Sequence, residues 1–398
     1  MSKGPSLATK VAGIEIETCV FNASGPRTGS SAAMSKIAAS ESGAVLAKSA
    51  TLASQTGNPQ PRTWHETDPH VASLNSEGLP NSGIEYYIAP KTIEGSLVST
   101  KKPYLVSISG ATLADNLKML DKICESVNNA DSPSNISGVE LNLACPNVIG
   151  KPIIAYDFDQ MDSVLDAVSK LPSYQKAMSN KQLPLGVKMP PYFDGPHFEK
   201  AAEVLNKYKD MVRYVASINT IGNAFAVDTV AEMPVISSKG GFAGLSGPAV
   251  KYTALANVKK MRELLDESID VVGVGGIQSG SDAFEMMLCG ASAVQVGTCH
   301  WTEGPKCFDR ICSELRDIMK SKGYTSVDDF KGKLKPWSKD GAAKSRAAKK
   351  AATTNSGDDK NSSKTSSGGS GTDMTMICAV LAVIIAVLLA DKFGVVSI

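Results

Sequence analysis

Lys48 and Lys188 each stand at the end of a short apolar run, where an ammonium is costly unless it meets negative charge. A cation held there offsets a phosphate, a substrate carboxylate or charge developing on a cofactor. A preorganised group of this kind contributes about 3–4 kcal/mol in a transition state. The competing reading is a lysine stem reaching to solvent. Cys145 lies in Gly138-Val-Glu-Leu-Asn-Leu-Ala-Cys-Pro-Asn147, between Asn142 and Asn147. Pro146 and Asn147 mark a turn, which places the thiol outside a core. A thiolate there serves as base or nucleophile, whereas most free cysteines are inert core residues. No histidine accompanies it in this motif, so a papain-like pair is not indicated. Asn75, Asn142, Asn147, Asn219 and Asn223 recur at segment ends. Their amides donate and accept, which suits a ring with alternating C=O and N–H groups such as a pyrimidine. Taken singly, each is an ordinary turn residue.

Two glycine-rich turns, Gly273-Val-Gly275-Gly276 and Gly297-Thr298, offer backbone N–H groups to a phosphate. Ordinary tight turns are the alternative. No Walker signature is present, so nucleotide hydrolysis is not indicated.

Placing these residues together requires particular elements. Eight apolar segments read as buried strands: Val20–Ala23, Ala44–Ala47, Tyr104–Ser107, Val139–Leu143, Leu185–Met189, Tyr214–Ile218, Val271–Val274 and Ala293–Val296. Helical patterns follow most of them, at Ala114–Val127, Met161–Ser169, Phe198–Tyr208, Thr253–Leu265, Asp282–Leu288 and Cys307–Lys320. Alternation of this kind implies a parallel sheet, and eight units closing on themselves make an α/β (β/α)8 TIM barrel. An open doubly wound sheet would need GxGxxG after the first strand, and none is there. Active sites of such barrels gather at the C-terminal ends of the strands, where the residues above fall.

A formal net charge of +1 argues against a nucleic-acid partner. The eight cysteines and four histidines form no metal-site spacing, so no metal is expected and the thiols read as reduced. Three further parts follow the barrel, which occupies residues 1–337. Residues 338–373 are rich in Ser, Lys, Gly, Thr and Asp, which predicts a flexible, disordered linker. Residues 374–390 form an uncharged apolar run, MTMICAVLAVIIAVLLA, which as a C-terminal transmembrane helix would span about 26 Å, short for a bilayer. Residues 391–398 form a short tail.

The stretch Glu140-Leu-Asn-Leu-Ala-Cys-Pro-Asn147, with Gly150-Lys-Pro and Ala155-Tyr-Asp-Phe158 after it, resembles the catalytic loop of class 1A dihydroorotate dehydrogenases. So do Gly57-Asn-Pro-Gln-Pro-Arg62, Asn75-Ser-Glu-Gly-Leu-Pro-Asn81, Gly186-Val-Lys-Met-Pro-Pro-Tyr-Phe-Asp194 and Thr253-Ala-Leu-Ala-Asn257. Gly304-Pro305 and Gly332-Lys-Leu-Lys335 continue the match, which covers residues 8 to 337 in family order.

The resemblance implies oxidation of dihydroorotate to orotate in pyrimidine (UMP) synthesis, with FMN as cofactor. It implies that Gly275, Gly276, Gly297 and Thr298 hold the FMN phosphate, and that Ala23, Ser24, Gly25, Lys48, Ser49, Asn142, Lys188 and Gly247 touch the flavin. Orotate or dihydroorotate would lie against Lys48, Asn75, Gly78, Leu79, Asn142, Asn147, Asn219 and Thr220. Cys145 would take the C5 proton, and Lys188 would stabilise negative charge on the reduced flavin. Class 2 relatives use a serine base and an N-terminal extension that admits quinone, and class 1B relatives an iron–sulfur subunit. The cysteine and the Pro-Pro-Tyr-Phe-Asp detail imply class 1A, hence fumarate as acceptor and a homodimer. A quinone acceptor is the alternative, as is a flavin-free phosphate-binding barrel tethered to a membrane.

The chain departs from the family pattern at three places. Asn219-Thr220 stands for Asn-Ser, Gly241-Phe-Ala-Gly-Leu-Ser-Gly247 carries side chains at Ala243 and Ser246 where the family has glycines, and the tail is an addition. The tail implies a cytoplasmic barrel tail-anchored to an intracellular membrane, with the basic residues of the linker kept on the cytosolic side.

Overall fold

The computed structural model describes residues 4–355 apart from 68–69, 99, 130–133, 145–152 and 182. The chain divides into two units, residues 1–334 and 335–398.

In the first unit, short runs of Val, Ile, Leu and Ala become strands buried on both faces, as parallel strands under a helical layer must be. They are β1 (Val20–Asn22), β2 (Val45–Leu46), β3 (Tyr104–Ile108), β4 (Ile136–Asn142), β5 (Leu185–Met189), β6 (Val212–Ser217), β7 (Asp270–Val274) and β8 (Ala293–Val296). Hydrogen-bonded neighbours run in the order β1-β8-β7-β6-β5-β4-β3-β2, all parallel. The seam between β1 and β2 is closed by a side chain. The fully buried Asn22 amide donates to the Leu46 carbonyl at 2.7 Å and accepts the Leu46 N–H at 3.0 Å. An asparagine thus supplies the two bonds that a strand ladder would supply, and the eight predicted strands close as the pattern requires.

Each strand leads into a helix on the outside: α1 (Ser31–Ala38), α2 (Pro90–Leu97), α3 (Leu113–Asn128), α4 (Phe158–Ser169), α5 (Gly195–Lys207), α6 (Lys251–Leu264), α7 (Gly280–Leu288) and α8 (Lys306–Lys322). Their starts are written locally. Thr112 and Asp115 cap α3 reciprocally, and Ser279 and Asp282 do the same for α7. One wide apolar stripe per helix packs on the sheet, so Met119, Ile123 and Val127 of α3 and Ile311, Leu315 and Met319 of α8 are buried.

Two excursions leave the strand ends and build a separate antiparallel sheet, ordered Ile221–Ala224, Ala243–Ser246, Ser73–Asn75, Thr63–His65. Its small core comprises Leu74, Ile236 and Ala243, backed by Trp64. This sheet is not predicted by the sequence, because its strands are three or four residues long and lie in the long connections after β2 and β6.

In the second unit, the expectation of coil over residues 338–373 needs correction. Lys339–Asn355 is a helix. Low hydrophobicity removes a core but not helix propensity, and the repeated Ala, Lys and Arg of this stretch are strong helix formers. The Ser338 hydroxyl accepts from the Gly341 N–H at 3.1 Å and starts the helix. Among the described residues, no helix is long and apolar enough to cross a membrane. The apolar run 374–390 lies outside them.

Candidate active site

The C-terminal ends of the barrel strands and the small antiparallel sheet enclose a cleft of about 1270 Å³, its open mouth included. Every described residue expected to bind cofactor or substrate lines it. β1 ends in Ala23, Ser24 and Gly25, and β2 in Lys48 and Ser49. β4 brings Asn142, β5 Lys188, and β6 Asn219 and Thr220. Gly275 and Gly276 follow β7, and Gly297 and Thr298 follow β8. The excursions add Asn75, Gly78, Leu79 and Gly247. Cys145 and Asn147 lie outside the described residues. Asn223 does not join the others: it is exposed on the small sheet with φ 61°.

Hydrogen bonds fix much of this lining. The Ser24 hydroxyl accepts the Ser49 N–H at 2.7 Å, and the Ser49 hydroxyl meets that of Ser107 at 2.8 Å. Asn219 donates through Nδ2 to the Asn142 Oδ1 at 3.2 Å, and its own Oδ1 accepts the Thr220 N–H at 2.8 Å. The Thr220 hydroxyl is buried without a partner among the described residues, a position a bound heterocycle can satisfy. Thr298 and Ser246 hydroxyls lie 3.0 Å apart. Ser246, one of the two departures in the glycine-rich stretch, therefore faces the cleft, while Ala243 packs into the small sheet's core away from it.

Charge is concentrated on one sign. Lys48 and Lys188 are 6% and 5% exposed. Burial pushes the Lys188 ammonium below its ordinary value, and the charge of Glu140 opposes that shift. The Lys188 ammonium makes no hydrogen bond or close ion pair among the described residues, while its carbonyl accepts the Leu143 N–H at 3.2 Å. Glu77, also on the cleft, is pushed up by burial and pulled back by Lys48 and by Arg62, whose Nε lies 3.2 Å from its carboxylate. Two buried cations beside amides and hydroxyls form a donor set for an anionic, planar, polar ligand.

The sequence model of the family Dihydroorotate dehydrogenase matches residues 6–319. The chain is 44% identical to dihydroorotate dehydrogenase A (fumarate) of Lactococcus lactis subsp. lactis, over 83% of this chain and 99% of that one. The chain belongs to the dihydroorotate dehydrogenase family. It is also 43% identical to dihydroorotate dehydrogenase (fumarate) of Saccharomyces cerevisiae, over 83% of this chain and 98% of that one. These relatives bear out the class 1A resemblance read from the sequence. Among solved structures, the dihydroorotate dehydrogenase of Eimeria tenella in complex with ferulenol shares the fold, with a TM-score of 0.66 at 20% identity over 82% of this chain and 88% of that one.

Several lining residues escaped the sequence reading. Arg27, His65, His300 and Trp301 form one lip, with the Trp301 ring 5.4 Å from that of His65 and under the Arg27 guanidinium. Ser73 joins the lip through His65 Nδ1 at 2.7 Å. Burial lowers His300 to about 4, so it is a neutral imidazole at neutral pH. Three of the four histidines (His65, His70 and His300) gather here, a convergence of long-range excursions with no local signal. Gln295 was more legible. A polar side chain inside the apolar strand Ala293–Val296 carries the same signal as the two lysines.

Proposed function

We propose that this chain is an FMN-dependent dihydroorotate dehydrogenase that oxidises dihydroorotate to orotate and passes the electrons to fumarate. The observation that carries the reading is the meeting of Lys48, Asn142, Lys188, Asn219 and Thr220 from four strands in one cleft, in a chain of this family.

The residues present fit FMN. Gly276 has φ 74°, and a Cβ there would lie 2.7 Å from the Lys251 Cα, so backbone alone can occupy this edge of the cleft and approach a phosphate. Gly275, Gly276, Gly297 and Thr298 would hold the phosphate, with Ser246 beside Thr298. Ala23, Ser24, Gly25, Ser49, Asn142, Gly247 and the two lysines would hold the ring system. FMN, when bound, supplies two-electron chemistry between dihydroorotate and fumarate. The chain's own part is to orient and to move a proton. Asn75, Asn142, Asn147 and Asn219 orient the pyrimidine ring through its amide edges, with Thr220, Gly78 and Leu79 against it. Lys48 neutralises the substrate carboxylate. Cys145 takes the C5 proton, and Lys188 presents positive charge where electrons arrive.

Mixing the yellow protein with dihydroorotate in the absence of oxygen should bleach the flavin absorbance, and fumarate should restore it. Restoration by quinone and not by fumarate would overturn the acceptor. Cys145→Ala should retain flavin and slow the bleaching by about 10²-fold or more. Bleaching at the parent rate would remove Cys145 as the base.

A homodimer accords with the apolar surface around Val227–Pro234, where Val230 is 95% exposed and Met233, Phe225 and Phe242 lie open nearby. The run 374–390 is proposed to anchor the chain in an intracellular membrane with the barrel in the cytosol. The full-length chain should then sediment with membranes and resist alkaline wash, while a chain ending at Trp337 stays soluble with nearly unchanged turnover. Full-length protein in the soluble fraction would refute the anchor.

A further inference from the structure

Below the cleft, the barrel interior is not wholly apolar. Glu140 on β4 is fully buried, and its Oε2 accepts Gln295 Nε2–H from β8 at 2.7 Å and the Tyr214 hydroxyl from β6 at 3.3 Å. Neither β8 nor β6 neighbours β4, so these bonds cross the barrel interior. Gly186 on β5 makes room for the Tyr214 ring, which occupies the space a side chain there would need. Oε1 of Glu140 has no hydrogen-bond partner among the described residues. A carboxylate half-satisfied in an apolar interior is destabilising unless a positive charge compensates it.

The strand register supplies that charge. Asn142 pairs with Lys188 and Glu140 with Gly186, so Glu140 and Lys188 are diagonal neighbours on one inward face. Long side chains bridge such a diagonal. We propose that Glu140 is a positioning residue whose buried carboxylate holds Lys188 as an ammonium at the floor of the cleft. Tyr214 and Gln295 fix the carboxylate in place. Of the other described charged groups on the cleft, Arg27 and Lys48 are cations, and the one carboxylate, Glu77, is engaged by Lys48 and paired with Arg62, so it does not replace Glu140 as the counter-charge of Lys188. The inference rests on the proposed role of Lys188 in flavin reduction, but its physical content, a charge pair, is measurable apart from turnover.

The test follows the side-chain resonance of Lys188 in flavin-loaded, full-length protein labelled at lysine side chains, with Lys188→Arg identifying the signal. In the parent protein the resonance should remain that of an ammonium through pH 8. In Glu140→Gln its titration midpoint should fall by at least one pH unit, and in Glu140→Asp it should stay close to the parent value. The alkaline limb of flavin reduction should move down with the midpoint in Glu140→Gln, with the KM for dihydroorotate unchanged. An unmoved midpoint in Glu140→Gln would reduce Glu140 to a polar filler of the barrel floor. So would a neutral Lys188 at pH 7.5 in the parent, a measurement that needs no Glu140 variant to fold. A shifted midpoint in a protein whose flavin dihydroorotate does not reduce would support the pair and overturn the reaction assignment.

Discussion

Gly276→Val should produce a protein that folds less stably and purifies with little or no flavin. The position combines two constraints. Its φ of 74° is one that β-branched residues avoid, and a Cβ would meet Lys251 at 2.6 Å from Cβ, 2.7 Å from Cα and 2.8 Å from N. These are backbone and near-backbone atoms at the start of α6, so no flexible side-chain end can swing away. Left-handed strain in a non-glycine residue costs of order 1–3 kcal/mol, and displacing α6 adds to it. The same displacement moves the backbone N–H groups proposed to meet the phosphate. A loss of about 2.8 kcal/mol in flavin binding is a 10²-fold weaker affinity. Gly297→Ala is the control for strain: its φ is −107° and a Cβ would lie 3.7 Å from the Ala23 methyl, so the fold should tolerate it. Thermal unfolding of flavin-free protein separates strain from binding. A Gly276→Val protein as yellow and as stable as the parent would remove this turn from the phosphate site.

What was legible in the sequence follows from the range of the interactions involved. The strands were readable because burial on both faces demands continuous apolar runs, and each predicted run coincides with a barrel strand to within three residues at either end. Lys48, Lys188 and Asn142 were legible because a polar residue inside or ending such a run conflicts with burial and needs a reason. Glu140 and Gln295 carried the same conflict, and their link across the barrel appears only when the strands close. The lip of Arg27, His65, His300 and Trp301 was not legible, because it joins three distant segments, each too short to show periodicity. Helix Lys339–Asn355 was misread for a different reason. Its stability comes from backbone propensity, whereas the expectation of coil rested on the lack of a buried face.

Lys188→Met should slow flavin reduction by dihydroorotate about 10²–10³-fold, the usual effect of deleting one preorganised group aimed at developing charge. Met preserves the length and volume of the buried stem, so a loss of rate with flavin still bound reports the ammonium and not a cavity. The pH dependence of stability gives an independent signature. Burial lowers the folded-state value of Lys188 below 10.5, so between that lowered value and 10.5 the unfolded chain binds more protons than the folded one. This lysine therefore makes parent stability rise with pH through that window, and below it the folded state carries the full cost of burying the charge. Lys188→Met should abolish that part of the rise. At neutral pH the substitution has two opposed effects. It relieves the desolvated ammonium, and it strips Glu140 of its counter-charge, a change that costs about 3–5 kcal/mol in buried pairs. The second effect should dominate, so the single variant unfolds more easily than the parent, and Lys188→Met with Glu140→Gln recovers most of the loss. That recovery must not extend to catalysis, since the double variant still lacks the cation. Stability restored together with turnover would mean that Lys188 acts through packing alone; no coupling between the two substitutions would mean that the pair does not exist.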